Sequence, residues 1–202
     1  GTLDHLFSDD LYLGIYDTTR LHTSLVINNL SHSEDLDIDL NLSPSLVSFN
    51  ELENFLVGVD LPLAGVARLD GEILLDLNRI SSKDIHIRFG NYSDVHVRTR
   101  IYDYQSEPSL HMDLKLVNSQ IDPIELRALL PGVELPPEIE GIGKSQIDGR
   151  FVGGTQDFVI NAEIGTAYGI ADANMRFQLP SGRDMLYEGR LITRGFNIDT
   201  LG

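Results

Sequence analysis

The chain repeats itself at a fixed spacing, and this repeat constrains its fold more than any other sequence feature. Residues 51–62 recur at 125–136, so that Glu51 aligns with Glu125. A third, partial copy begins near Ile147. A fixed period of this length is typical of repeat architectures, in which neighbouring units share one core. We therefore predict a single continuous array, with units at roughly 1–62, 63–136 and 137–202. We also expect the chain to be a fragment of a longer protein.

Each unit has the pattern of four antiparallel strands. In the segment Leu36–Leu40, apolar and acidic residues alternate without a break. This pattern is typical of a strand with one buried face and one solvent-exposed face. Turn residues at Ser8–Asp10 and at similar spacings separate the segments. The sequence predicts twelve strands, at 1–8, 10–17, 20–30, 34–43, 71–80, 83–90, 93–104, 109–118, 142–153, 157–165, 168–179 and 185–196.

A short helix is expected after the fourth strand of each of the first two units, near 50–57 and 123–130. In the second unit Asp122 can cap free backbone N–H groups, Pro123 suits the first helical position, and Glu125 completes a capping-box pattern. Pro131 and Gly132 end the helix after about two turns, which is too short for stability without packing. An extended segment at 59–62 and a proline-rich one around Pro136 follow the helices.

The predicted fold class is all-β, an elongated, curled antiparallel sheet of about twelve strands with one short helix per repeat. Open twisted sheets rarely exceed about ten strands without curling. One face of every strand is apolar, and two arrangements would hide it: a closed, filled sandwich, or a curled trough covered by something else. Periodicity by itself favours the closed sandwich.

The charge and composition exclude several classes of function. The net charge is −16, which argues against nucleic acid and against anionic membrane surfaces, since both attract basic patches. The chain has no cysteine, so no disulfide, thiolate metal site or thiol nucleophile is available. Hydrophobic residues make up 42% of the chain, enough for a sizeable apolar face.

Two motifs resemble binding sites but fail on inspection. Gly143–Ser145 matches the end of a phosphate-binding loop, yet the glycine that this loop requires is replaced by Glu138. Asp35, Asp37 and Asp39 have the spacing of a calcium loop, but apolar residues alternate with them and Leu40 stands where glycine is needed. A turn and a wet strand face explain these motifs better.

The histidines give no stronger signal. His22 and His96 are equivalent in the repeat and alternate with apolar neighbours, which favours exposed strand positions. No set of titratable residues converges in the sequence pattern, so we expect neither an enzyme, nor a metal site, nor a cofactor.

Several segments resemble the TamB/AsmA-like family, in particular the long TamB-type proteins of the Bacteroidetes. The similarity is best over 63–202 and weaker over 1–62. The segments that carry it are Gly71–Ile73, Ile121–Pro131, Gly149–Gly154, Asp157–Phe158, Gly165–Gly169, Tyr187–Arg190 and Gly195–Asp199.

The resemblance implies a β-taco, a repeating β-groove whose U-shaped sheet has an apolar inner face, and it favours the open trough over the closed sandwich. The implied location is the periplasm, in a protein anchored in the inner membrane and reaching the outer membrane. The implied role is the conduction of phospholipids between the two membranes, with a part in translocation and assembly of outer-membrane proteins beside an outer-membrane β-barrel of the Omp85 type.

Under this hypothesis the apolar positions of the alternating strands line a groove for phospholipid acyl chains. The predicted lining consists of Leu11, Leu13, Leu36, Ile38, Leu40, Ile85, Ile87, Phe89, Val95, Val97, Leu110, Met112, Leu114, Phe158, Ile160, Met175 and Phe177. Their polar neighbours Asp37, Asp39, His86, Arg88, His96, Arg98, Asp113 and Lys115 should occupy the other face. Two alternatives stay open: a structural or adaptor module for outer-membrane β-barrel assembly, and a closed sandwich or solenoid that serves as an adhesin.

Overall fold

The computed structural model describes residues 4–55, 63–103, 110–131, 141–178 and 186–195, and it shows an all-β chain. Eleven strands form one antiparallel sheet in which spatial order equals chain order. The strands are β1 (His5–Ile15), β2 (Thr19–Asn28), β3 (Asp37–Ser48), β4 (Val66–Asp76), β5 (Arg79–Phe89), β6 (Ser93–Tyr102), β7 (His111–Ile121), β8 (Ser145–Gly153), β9 (Asp157–Thr166), β10 (Gly169–Gln178) and β11 (Leu186–Arg194). The predicted fold class, an all-β chain with one elongated antiparallel sheet and short helices, is confirmed, and the sheet is open.

Two short helices are complete within the described part of the chain. Helix α1 spans Phe49–Phe55 between β3 and β4, and helix α2 spans Pro123–Leu129 between β7 and β8. A 3₁₀ turn, Ser33–Asp35, precedes β3. The elements of the first repeat recur in the second at the spacing that aligns Glu51 with Glu125, because β1, β2, β3 and α1 each begin that distance before β5, β6, β7 and α2. The two expected helices are confirmed.

The expected turn at 8–10 is wrong. Residues 1–8 and 10–17 were predicted as two strands, but β1 continues through this point, which reduces the strand count from twelve to eleven. The pairing with β2 shifts register between Ser8 and Leu11, so the two aspartates between them form a β-bulge. A bulge accommodates turn-like residues without ending a strand.

Such bulges also explain why other strands extend beyond their predicted ends. β3 runs to Ser48 rather than residue 43 because the register shifts between Leu42 and Ser45, and Pro44 lies inside this shift. Proline is tolerated in strands at bulges. β7 likewise runs to Ile121, through a shift between Leu116 and Ser119 at the equivalent place in the second repeat.

A buried serine fills the bulge in each of the first two repeats. The Ser45 hydroxyl accepts a hydrogen bond from the His22 backbone N–H at 2.9 Å and can donate to the His22 carbonyl at 3.2 Å. The Ser119 hydroxyl makes the same pair of contacts with His96, at 3.1 and 3.2 Å. The shifted register leaves backbone groups to be satisfied, and the serine replaces the missing ladder partner.

The helices are fixed to the sheet by one glutamate each. The Glu51 carboxylate accepts hydrogen bonds from the backbone N–H groups of Thr18 and Thr19, at 2.9 and 2.7 Å, in the β1–β2 turn. Desolvation opposes ionisation, but these hydrogen bonds prevail and lower the pKa of Glu51 to about 2. Each helix is therefore tied to the turn that begins its own repeat.

In the second repeat Glu125 has this role, binding the N–H groups of Asn91, Tyr92 and Ser93 in the β5–β6 turn. Its pKa is lowered despite desolvation, by the hydrogen bonds from Asn91 and Ser93. The capping-box role predicted for Glu125 is thus wrong, because its side chain reaches across the sheet. The other helix-start prediction is confirmed: the Asp122 carboxylate accepts from Ile124 N–H at 2.9 Å.

The sheet is open, with β1 and β11 as its edges, and each strand contacts mainly its chain neighbours. The accessible surface area is 12965 Å² at 22.5 kDa, whereas a compact monomer of that mass exposes about 9,500 Å². The excess fits a single layer rather than a sandwich. The expected linkers at 59–62 and around Pro136 lie outside the described residues.

Candidate functional site

The strand registers place most of the apolar side chains of the strands on one face of the sheet, which we call the apolar face. All of the predicted lining residues on strands share this face, as their cross-strand pairing shows, for example Ile85 with Val97 and Phe158 with Phe177. Leu36 and Leu110 are the exceptions, because each lies one residue before its strand, β3 or β7.

One row of this face crosses all eleven strands. Each member is the direct cross-strand partner of the next, and each is apolar except Gly153. The row, hereafter the apolar row, is Leu6, Ile27, Ile38, Leu75, Ile80, Ile101, Met112, Gly153, Phe158, Phe177 and Tyr187. At about 4.8 Å between strands it extends over roughly 48 Å. Within the described residues no member of the row is fully buried.

Only part of this row is predicted from the sequence. Ile38, Met112, Phe158 and Phe177 are among the predicted lining residues, but the other apolar members, such as Ile101, are not. The signal was present, because Val95, Val97, Thr99 and Ile101 continue one alternation along β6. What the sequence could not give is the register, which decides the cross-strand partners.

The two ends of the strands differ in how the apolar face is covered. At one end the helices pack on the sheet, and a core cluster forms from Val47, Phe49, Ala67, Phe89 and Val95, all less than a tenth exposed. Leu52 of α1 and Leu126 and Leu129 of α2 pack against it. The buried hydrophobic residues of the described chain lie at this end, and the apolar row lies at the other.

The division separates the predicted lining residues into two groups. Ile87, Phe89, Val95 and Val97 belong to, or pack against, the helix-covered cluster. Ile38, Met112, Phe158 and Phe177 belong to the apolar row, and Leu40, Leu114, Ile160 and Met175 lie in the adjacent row of the same face. This second group is placed to contact an extended apolar ligand without displacing a helix. Leu11, Leu13 and Ile85 belong to neither group, and Leu13 is 44% exposed.

The opposite face is mainly polar, although it also carries Val26, Leu74, Val152 and Val159. Ion pairs connect its neighbouring strands. The predicted polar residues lie here. Arg150 of β8 makes a bidentate pair with Asp113 of β7, at 2.6 and 2.7 Å, and this interaction lowers the pKa of Asp113. Arg176 pairs in the same way with Asp157, whose pKa falls to about 2 through its hydrogen bonds with Arg176 and Gln178. These ion pairs therefore link neighbouring strands on the polar face.

The structure also brings together a titratable cluster that the sequence analysis did not expect. His86 and His96 are cross-strand partners on the polar face, and their rings stack with centroids 4.0 Å apart. Asp94 lies against both imidazoles. The expectation that no titratable residues converge is therefore wrong, because the convergence depends on the β5–β6 register and not on sequence spacing.

The calcium-loop and phosphate-loop motifs of the sequence have structural explanations. Asp37 and Asp39 lie on the polar face of β3, whereas Asp35 belongs to the 3₁₀ turn before it, so the three do not form a calcium loop. The pKa of Asp39 is raised by desolvation and by the neighbouring Glu72 and Asp37 carboxylates. Gly143 has φ +70° and precedes β8, as Gly65 with φ +78° precedes β4, so it serves a turn.

Among the described residues, neither helix has the length and apolarity that crossing a bilayer requires. Comparisons with models of protein families, with curated proteins and with solved structures find no match.

Proposed function

We propose that the chain is a section of a hydrophobic groove that conducts phospholipids between the inner and outer membranes of the periplasm. The observation that carries the proposal is the apolar row, which crosses eleven strands and has no covering layer within the described residues. A single-layer sheet that leaves such a face partly exposed calls for a ligand that covers it.

Phospholipid acyl chains are apolar and therefore suited to bind this surface. Each methylene group exposed to water forfeits about 0.8 kcal/mol, so a chain of sixteen carbons faces a barrier on the order of 13 kcal/mol when it leaves a membrane. A continuous apolar face lowers this barrier at each point along the path. The zwitterionic or anionic headgroup stays in water at the uncovered strand ends, so the groove needs no specific polar site.

The helix-covered end supports the same function. The helices and the core cluster hold one margin of the sheet, while the margin with the apolar row is free of them. A lipid can therefore enter sideways from the free margin without unfolding the sheet. The resemblance to the TamB/AsmA-like family agrees with this function and supplies the proposed periplasmic location.

Photo-crosslinking to phospholipid tests the proposal. A photoactivatable phenylalanine derivative placed at Met112 or Ile160 is expected to form lipid adducts when the chain is loaded with phosphatidylethanolamine. The matched controls are Arg98 and Lys115 on the polar face. Lys115 lies on the same strand as Met112, and Arg98 lies on the strand beside it. Neither position should form lipid adducts. Equal labelling from both faces, or from neither, would contradict the proposal.

A charge on the apolar face provides a second test. Met112→Asp should reduce lipid transfer but preserve the fold, since Met112 is half-exposed and an ionised aspartate there stays in contact with water. Ile87→Arg behaves differently, because Ile87 packs against the core cluster, and a charge there should destabilise the helix-covered end. Unfolding by Met112→Asp would show that the apolar row is a closed core.

A second candidate function is that of an adaptor in the assembly of outer-membrane β-barrel proteins. It is favoured by β11, an edge strand whose residues are all exposed and whose outer backbone groups can pair with an incoming strand. The substitution Arg190→Pro should then weaken the capture of an unfolded barrel protein, while lipid adducts at Met112 should form as before. The adhesin alternative required a closed sheet and is not carried further.

A further inference from the structure

We propose that His86, Asp94 and His96 form a binding site for a divalent transition-metal ion of the Zn²⁺ type on the polar face. The site lies on the opposite side of the sheet from the apolar row, and it does not depend on the proposed lipid function. Each of the three side chains offers one ligand atom, and these atoms all lie within 4.8 Å of one another.

The three ligands suit such an ion in type and position. Imidazole nitrogen and carboxylate oxygen bind Zn²⁺ at about 2.0–2.2 Å, so ligands around a tetrahedral ion lie about 3.4 Å apart. His96 Nε2 and Asp94 Oδ1 are 3.4 Å apart. His86 Nε2 is in hydrogen-bond contact with the same oxygen, and it needs to move outward by roughly an ångström to admit the ion.

The backbone holds these ligands before any ion is present. His86 and His96 are paired across β5 and β6, which fixes the positions of both side chains on one face; their rings, now stacked with 15° between the planes, must turn about their side-chain bonds to direct both nitrogens at one ion. Asp94 precedes His96 by two residues on β6, so it shares the polar face. Side chains on paired strands lose less conformational freedom on metal binding than side chains on loops do, and this favours a higher metal affinity.

A further carboxylate orients one ligand. Asp70, the partner of His86 on β4, places Oδ1 3.6 Å from His86 Nδ1. A carboxylate behind a ligating histidine directs the opposite nitrogen to the metal. Arg88 Nη2 lies 3.3 Å from the same Asp70 oxygen and holds it in place.

Solvent can reach the site and complete the coordination. The side chains of His86, His96 and Asp94 are 21%, 39% and 41% exposed. Three protein ligands leave a fourth position of a tetrahedral ion for water or for a ligand from outside. The net charge of −16 attracts cations to the surface.

The first repeat supplies an internal control. His22 is the equivalent of His96, and it stacks at 4.0 Å on Tyr12, which occupies the position of His86. Arg20 stands at the position of Asp94. The first repeat therefore has the same strand pairing and a similar stacked pair, but it offers two potential ligands in place of three, His22 and Asp10, whose Oδ1 lies 2.7 Å from His22 Nε2.

Titration of the untagged chain with ZnCl₂ by isothermal calorimetry tests the site. We expect saturable binding of one ion per chain, weakened at least tenfold by His96→Gln and by Asp94→Asn. Asp70→Asn should weaken binding by a smaller factor, because it removes only the orienting contact. His22→Gln, the matched control, should leave binding unchanged.

The variant His86→Tyr separates loss of metal binding from loss of folding, because it creates the Tyr–His stacked pair that the first repeat already contains. This variant should keep the circular dichroism spectrum of the wild type and lose the bound ion. Absence of saturable binding by the wild type, or equal weakening by His22→Gln and His96→Gln, would overturn the proposal.

Discussion

Replacing Ser119 by alanine tests whether the bulges are structural elements of the sheet. Ser119 is 0% exposed and lies where the β7–β8 register shifts. Its hydroxyl accepts from the His96 N–H at 3.1 Å and donates to the His96 carbonyl. Alanine fills nearly the same volume, so the substitution removes these hydrogen bonds with little loss of packing.

The size of the effect follows from the groups left behind. A buried donor without a partner costs about 1–3 kcal/mol, and the N–H of His96 becomes such a donor in Ser119→Ala. For a chain of 150–250 residues, 1 kcal/mol corresponds to about 2–4 °C in Tm, so Tm should fall by about 2–12 °C. Ser45→Ala should have a similar effect, since Ser45 makes the same contacts with His22.

Urea unfolding followed by far-ultraviolet circular dichroism measures the loss, and amide hydrogen exchange locates it. The His96 amide should exchange faster in Ser119→Ala, and the His22 amide should be unaffected there. Ser81→Ala is the matched control, because Ser81 lies half-buried on the polar face of β5 and has direct partners on both β4 and β6. If Ser119→Ala is no more destabilising than Ser81→Ala, the bulge serine has no structural role.

Two further predictions concern the helix-covered end. The pKa of Glu51 is lowered to about 2, so its ionised form stabilises the fold above the unfolded-state pKa of about 4.3 and this contribution is lost as pH falls towards 2. Glu51→Gln should therefore reduce stability at pH 7 and flatten the acid limb of a urea-midpoint profile, whereas Glu53→Gln should leave the profile as it is. Phe89→Ala should cost about 3–5 kcal/mol because Phe89 is 6% exposed. Phe177→Ala in the apolar row should cost clearly less in the same assay, and equal costs would contradict the division of the apolar face.

Local sequence patterns predicted the elements of this fold well, because each depends on a few neighbouring residues. The alternation in Leu36–Leu40 predicted a strand with two different faces, and Asp122 and Pro123 predicted the start of α2. The repeat that aligns Glu51 with Glu125 predicted that α1 and α2 occupy equivalent places.

The errors arose where a side chain acts on a distant part of the chain. Asp9 and Asp10 have the composition of a turn, but pairing with β2 absorbs them in a bulge. Glu125 has the spacing of a capping box, yet its carboxylate has better partners in the β5–β6 turn. His86 and His96 lie on different strands and meet only because of the strand register, which the sequence does not display.

The bulge serine and the glutamate contact of the first repeat recur in the second, and this regularity bears on how such a chain can change its length. Four strands add about 19 Å to the sheet. Duplication or deletion of one unit would preserve every bulge, every helix contact and the alignment of the apolar row, whereas loss of a single strand would reverse the direction of all strands after it. The sheet therefore has a natural increment of length, and a chain of this design can be matched to a given span by counting whole units.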